Sequence, residues 1–161
     1  MTIADFDHLA EFEKKVLLQK CCGSSGWVSK MLRIFPVNDL IDLLESADDA
    51  WEECKKNDWI EAFWNDPITP DTQSLTEKYA PNEHSGTNPV SFQVQKSLVE
   101  SSKLYSQKFG YPFIVFSFQK SEGEMLALLL RRLSNTPESE LKIAAAEQVQ
   151  IIKSRLKEIF A

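Results

Sequence analysis

Apolar residues recur at three- and four-residue spacing along most of this chain, which predicts one amphipathic α-helix after another. Leu9, Phe12 and Val16 mark a first helix that runs out at Cys22-Gly23-Ser24-Ser25-Gly26. A glycine there can end one helix in a left-handed residue, and Ser24 or Ser25 can cap the next. That second helix, around Trp27 to Ile34, stops before Pro36. A third starts from Asn38 or Asp39 and sets Leu40, Leu43, Ala47, Trp51 and Cys54 on one stripe. Asn57-Asp58 then breaks and recaps the chain, leaving Trp59, Ile60 and Phe63 to a short helix of their own. The prolines of Asp66-Pro67-Ile68-Thr69-Pro70-Asp71 forbid a helix interior and predict a loop.

After a helical turn over Leu75 to Tyr79, the polar run from Pro81 to Pro89 predicts a second loop. Val90 to Gln107 reads as a long helix with Val94, Leu98, Ser101 or Ser102, and Tyr105 on one side. The pattern changes at Phe109-Gly110-Tyr111-Pro112-Phe113-Ile114-Val115-Phe116-Ser117-Phe118, which is aromatic and β-branched. It has no partner strand, so it is expected as a buried extended connector over Phe113 to Phe118. Ser121-Glu122-Gly123-Glu124 has capping-box order and opens a helix through Leu133, with Met125, Leu128, Leu129 and Leu133 as its buried face. Thr136-Pro137 caps and starts the last helix. The fold class is therefore all-α, a single-domain helical bundle over 1–161 with one extended connector.

The last helix carries an anomaly. Leu141, Ala145, Val149, Ile152, Leu156 and Ile159 define its apolar stripe, and Arg155 sits on the flank of that stripe. Lys142, Glu147, Lys153 and Lys157 fall in the outward sectors instead. A guanidinium turned partly inward needs carboxylate or carbonyl partners, because an unpaired buried charge costs several kcal/mol. Another part of the protein supplies that partner, or a ligand does.

Composition narrows the partners. At 161 residues the chain fits one domain that buries roughly two-thirds of its unfolded surface. A net charge of -6 argues against nucleic acid or an anionic membrane as partner. No apolar run reaches the length of a membrane span, and the acidic start MTIADFDHLAEFEKK lacks the order of a secretory signal, so a cytoplasmic location is expected. Three cysteines, with Cys21 and Cys22 adjacent, read as reduced thiols packed as small apolar residues. His8 and His84 stand far from any paired ligand spacing, so no metal site is expected. Trp27, Trp51, Trp59 and Trp64 read as core or half-buried packing, and Trp64, which with Asn65 precedes the proline loop, has a second reading as a cover over a pocket.

Taken in order, several segments resemble the 2-oxo-4-hydroxy-4-carboxy-5-ureidoimidazoline (OHCU) decarboxylase family. They are Cys21-Cys22-Gly23-Ser24 with Trp27 and Met31, Trp59-Ile60-Glu61-Ala62-Phe63, the Pro67 loop, Glu83 with Gly86, Tyr105 through Phe109-Gly110-Tyr111-Pro112-Phe113-Ile114-Val115, and Arg155-Leu156. The resemblance covers nearly the whole chain. It implies a compact all-α domain, often a homodimer, that works without cofactor in the conversion of urate to (S)-allantoin. Such a site must hold a leaving carboxylate in a dry pocket, satisfy a small ureide or carboxylate ligand with fixed donors, and present a proton donor. In the family a His before a Pro, a Glu followed by Gln, the backbone of a Phe-Gly loop and an Arg near the C-terminus meet these needs.

Carried over, the resemblance assigns ligand binding to Arg155, Pro67, Phe109, Gly110, Phe113 and Ile114, and catalysis to Glu83, His84 and Asp66. Two of these depart from the family pattern. The Gln after the Glu becomes His84, and the His-Pro pair becomes Asp66-Pro67, followed by Ile68-Thr69-Pro70. Losing a positioned acid or base costs about 10²- to 10⁴-fold in rate. A carboxylate about 4 Å from a substrate carboxylate adds repulsion on the order of 4 kcal/mol at an effective dielectric of 20. Three readings stay open: a divergent decarboxylase using Glu83, His84 and Arg155; an enzyme on a different ureide in which Asp66 binds an amide or cationic group; and a non-catalytic small-ligand-binding or interaction protein on the same fold.

Overall fold

A computed structural model describes residues 1–66 and 89–160; the described residues form eight helices and no strand. The helices are α1 (Ile3–Asp7), α2 (Glu11–Cys21), α3 (Ser25–Ile34), α4 (Leu40–Glu52), α5 (Lys56–Trp64), α6 (Pro89–Phe109), α7 (Glu122–Leu133) and α8 (Pro137–Phe160). The predicted turn at Leu75 to Tyr79 and the loop from Pro81 to Asn88 lie outside the described residues, as do Pro67, Glu83 and His84. Packing groups the chain into two units, one of residues 1–67 and 145–161 and one of 68–144, so that α8 contributes residues to each.

In the first unit the helix starts follow local chemistry. The Ser24 hydroxyl accepts from Trp27 N–H, and Asp39 accepts from Asp42 N–H, so each supplies an acceptor to otherwise unpaired first-turn amides. The core gathers Phe6, Leu18, Trp27, Met31, Leu43, Ala47, Trp51, Phe63, Ile152 and Leu156, and Phe6 meets the Phe160 ring edge-on. Three indoles act as cross-ties. Trp27 Nε1 donates to Ala47 O at 3.2 Å, Trp51 Nε1 to Ala145 O at 2.9 Å and Trp59 Nε1 to Trp51 O at 3.0 Å. Trp27 and Trp51 bury a large ring and Trp59 half-buries one, each with its one donor satisfied.

Two sequence expectations change here. Asn57-Asp58 does not interrupt the chain: α5 starts at Lys56, and the Asp58 carboxylate reaches back to accept from Lys55 N–H at 2.9 Å. The acidic residue is a third helical position, not a cap. Phe12 is exposed, because the buried face of α2 runs through Leu18 and Cys21.

In the second unit α6 packs along α7. Gly110 adopts φ +82° and donates its N–H to Ser106 O, a left-handed stop to α6 that a side chain would strain. The following segment is irregular and joins no sheet among the described residues, as expected, but it is only partly buried. Tyr111 and Ile114 are inside, Phe113, Val115 and Phe116 are half-buried, and Phe118 is 67% exposed. Ser121 then caps α7 by accepting from Glu124 N–H, and Thr136 caps α8 by accepting from Ser139 N–H.

A buried charge cluster organises this unit. Arg132 donates through Nε to Glu140 Oε1 (2.7 Å) and through Nη1 to Ile114 O (2.7 Å), with its guanidinium 4.5 Å from the Phe113 ring centroid. Tyr105 Oη and Asn135 Nδ2 supply the remaining donors to Glu140. Burial and the hydrogen bond to Glu140 push the Tyr105 hydroxyl far above its ordinary pKa, so it remains a donor.

Candidate functional site

Arg155 lies on the centre of the buried face of α8. The residues of that helix that leave solvent include Glu140, Ala144, Gln148, Ile151, Ile152, Arg155 and Leu156, while Leu141, Val149 and Ile159 are only half-buried. The buried face is therefore rotated from the one the apolar residues alone define. Its polar members are admitted because each finds partners.

For Arg155 the partner is Asp66. Nη1 and Nη2 donate to Asp66 Oδ1 and Oδ2 at 2.7 and 3.0 Å, the two-pronged geometry that matches guanidinium to carboxylate. Nη1 also donates to Cys21 O at 3.0 Å. That carbonyl belongs to the last turn of α2, where helical carbonyls lack internal partners and favour a cation. Gln148, seven residues before Arg155 and on the same face, donates Nε2 to Asp66 Oδ1 at 3.1 Å. The arginine and aspartate side chains are 9% and 15% exposed.

Two glycines and a glutamate deliver Asp66 to this place. A β-carbon on Gly23 would fall 2.3 Å from Asn65 O, and one on Gly26 would fall 2.6 Å from Asp58 Oδ1. Only glycine lets the end and the first turn of α5 approach the α2–α3 junction so closely. Glu61, between them, accepts from Ser25 N–H (2.7 Å) and Ser25 Oγ (3.2 Å) at the start of α3. The Cys21-Cys22-Gly23-Ser24 segment thus supplies backbone approach and a carbonyl. Its thiols are inert near neutrality: burial pushes Cys21 up to about 12 against the pull of the Arg155 charge, and burial pushes Cys22 higher still.

Of the residues singled out from sequence, Asp66 and Arg155 meet directly. Phe109, Gly110, Phe113 and Ile114 belong to the second unit, where Tyr105 packs against Phe109 and Phe113 and Ile114 O is held by Arg132. Trp64 is largely exposed. Gln148 and the Cys21 carbonyl were not foreseen. The available signal was an amide at heptad spacing from the arginine, on a face it shares with Ala144, Ile151 and Ile152.

The sequence matches the family model for OHCU decarboxylase over residues 7–157. The chain belongs to the OHCU decarboxylase family. It is 30% identical over 148 residues to the uric acid degradation bifunctional protein TTL of Arabidopsis thaliana, covering 88% of this chain and 45% of that protein. It is 34% identical over 55 residues to the 2-oxo-4-hydroxy-4-carboxy-5-ureidoimidazoline decarboxylase of Amia calva, covering 34% of this chain and 31% of that one. The chain thus spans less than half the length of these curated relatives. A crystal structure of OHCU decarboxylase in the presence of (S)-allantoin superposes with a TM-score of 0.70 at 30% identity, covering 94% of this chain and 99% of that one. A crystal structure of (S)-allantoin synthase, at 16% identity and a TM-score of 0.73, shares the fold over 99% of this chain and 54% of its own. The all-helical architecture matches these fold neighbours, and no helix among the described residues is long and apolar enough to cross a membrane.

Proposed function

We propose that this protein is an OHCU decarboxylase-like domain that binds a small ureide beside Arg155 and carries out the family's cofactor-free decarboxylation poorly. The observation that supports this is the Asp66–Arg155 pair. By resemblance, Asp66 stands where the family has its histidine and Arg155 where it has its ligand arginine. A carboxylate paired with a guanidinium and accepting from Gln148 presents acceptors where the family's histidine presents a ring N–H. It also occupies the cation that a carboxylated substrate would use. The resemblance assigns residual proton transfer in the urate-to-allantoin direction to Glu83 and His84, and further ligand binding to Pro67, Phe109, Gly110, Phe113 and Ile114.

The deciding experiment follows decarboxylation of freshly generated OHCU by circular dichroism. Wild-type protein is expected to be slow, and Asp66→His to be faster by an order of magnitude or more, about what one acid–base residue supplies. Brisk wild-type turnover that Asp66→His leaves unchanged overturns the reading. The same reading places the protein in the cytoplasm as a homodimer built from a single domain over 1–161, which light scattering on the purified protein checks for the oligomer.

A further inference from the structure

Among the described residues, Asp66 and Gln148 keep acceptor capacity beside Arg155. Asp66 Oδ1 takes two donors, Arg155 Nη1 and Gln148 Nε2, whereas Oδ2 takes one, Arg155 Nη2. Among the described residues, one lone pair of Oδ2 is therefore open. Gln148 is fully buried, its Nε2 donates to Asp66, and its Oε1 has no hydrogen-bond partner among the described residues. A buried amide oxygen left in that state costs free energy that a donor would recover. The cation of the cluster, meanwhile, is already engaged by a carboxylate in two-pronged geometry and by the Cys21 carbonyl.

We infer that this site selects uncharged, N–H-rich ureides and rejects their carboxylates, with Asp66 acting as the specificity-determining residue. Resting on the small-ureide reading above, the inference names the ligand class: a ureido or cyclic amide group that donates N–H to Asp66 Oδ2 and Gln148 Oε1. A carboxylate ligand offers acceptors to acceptors and meets the Asp66 charge without a free cation to offset it. A site built to hydrogen-bond an N–H discriminates strongly against a ligand that lacks it, because its own buried groups are then left unpaired.

Calorimetric titration with allantoin and with its ring-opened carboxylate, allantoate, tests this. Wild-type protein is expected to bind allantoin at least tenfold more tightly than allantoate. Asp66→Asn, which keeps the shape and removes the charge, is expected to lower that ratio tenfold or more by admitting the carboxylate to Arg155. Asp66→Ser serves as a second variant should the amide fail to fold. Equal or tighter binding of allantoate by wild-type protein overturns the selectivity while leaving the ureide-binding reading in place. Binding of neither ligand by wild-type protein overturns both, and a ratio unchanged in the folded variants removes Asp66 from the role. Because the titration reads binding and the dichroism assay reads turnover, failure of one is distinguishable from failure of the other.

Discussion

Among the described residues, each unit holds one arginine–carboxylate pair largely shielded from solvent, and the two are finished to different degrees. In the second unit Arg132 and Glu140 are 5% and 0% exposed, and both Glu140 oxygens are engaged by Tyr105, Asn135 and the arginine itself. Arg132 directs a further donor to the Ile114 carbonyl and lies over the Phe113 ring. In the first unit Arg155 and Asp66 are more open, an Asp66 lone pair is uncommitted, and Gln148 Oε1 lacks a partner among the described residues. A closed network holds a connector and a helix start in place. An open one, just past the end of α5, keeps acceptors available, and the proposed ureide selection draws on them.

The sharpest way to break this contrast is to disrupt the closed pair. Removing one partner of a fully buried ion pair strands the other, so Glu140→Gln is expected to cost about 3–5 kcal/mol in urea unfolding. Equal loss from Asp66→Ala would erase the distinction. The expected cost of Asp66→Ala is smaller, roughly 1–3 kcal/mol, because Arg155 retains the Cys21 carbonyl and the site is partly solvated.

Gly23→Ala sharpens the comparison without touching a charge. Its new methyl would overlap the Asn65 carbonyl, and relief requires backbone movement costing about 1–3 kcal/mol. Because Asp66 follows Asn65, the allantoin-to-allantoate binding ratio is expected to move with stability in this variant, whereas Tyr105→Phe in the other unit is expected to lower stability by about 1 kcal/mol and leave the ratio alone.

The smallest effect is alkaline. Burial raises the Cys21 pKa from its ordinary 9.0 to about 12, so above pH 9 the unfolded chain releases a proton that the folded chain keeps. Stability therefore falls as pH rises from 9 toward 12, and this thiol contributes no slope below that window. Roughly 1 kcal/mol is expected to be lost from this group by pH 10, and Cys21→Ala should flatten that part of the urea-midpoint profile.

Local sequence determined the helices and most of their ends. Ser24, Asp39, Ser121 and Thr136 cap where their short polar side chains precede apolar periodicity, and Gly110 stops α6 where a left-handed residue is needed. These signals act over one turn of chain, so they survive without tertiary context. The demand of Arg155 for a partner was also legible, since burying a charge is costly wherever the partner lies. Tertiary structure alone decided that the partner is Asp66, 89 residues away, and that Gln148 joins it. It likewise turned Glu140 from a first-turn acidic residue into the centre of a buried cluster and left Phe118 outside a connector whose composition reads as core. The apolar pattern finds a buried face by averaging over greasy side chains. Polar residues that hold a place on that face through distant partners are invisible to it, and those residues define the site.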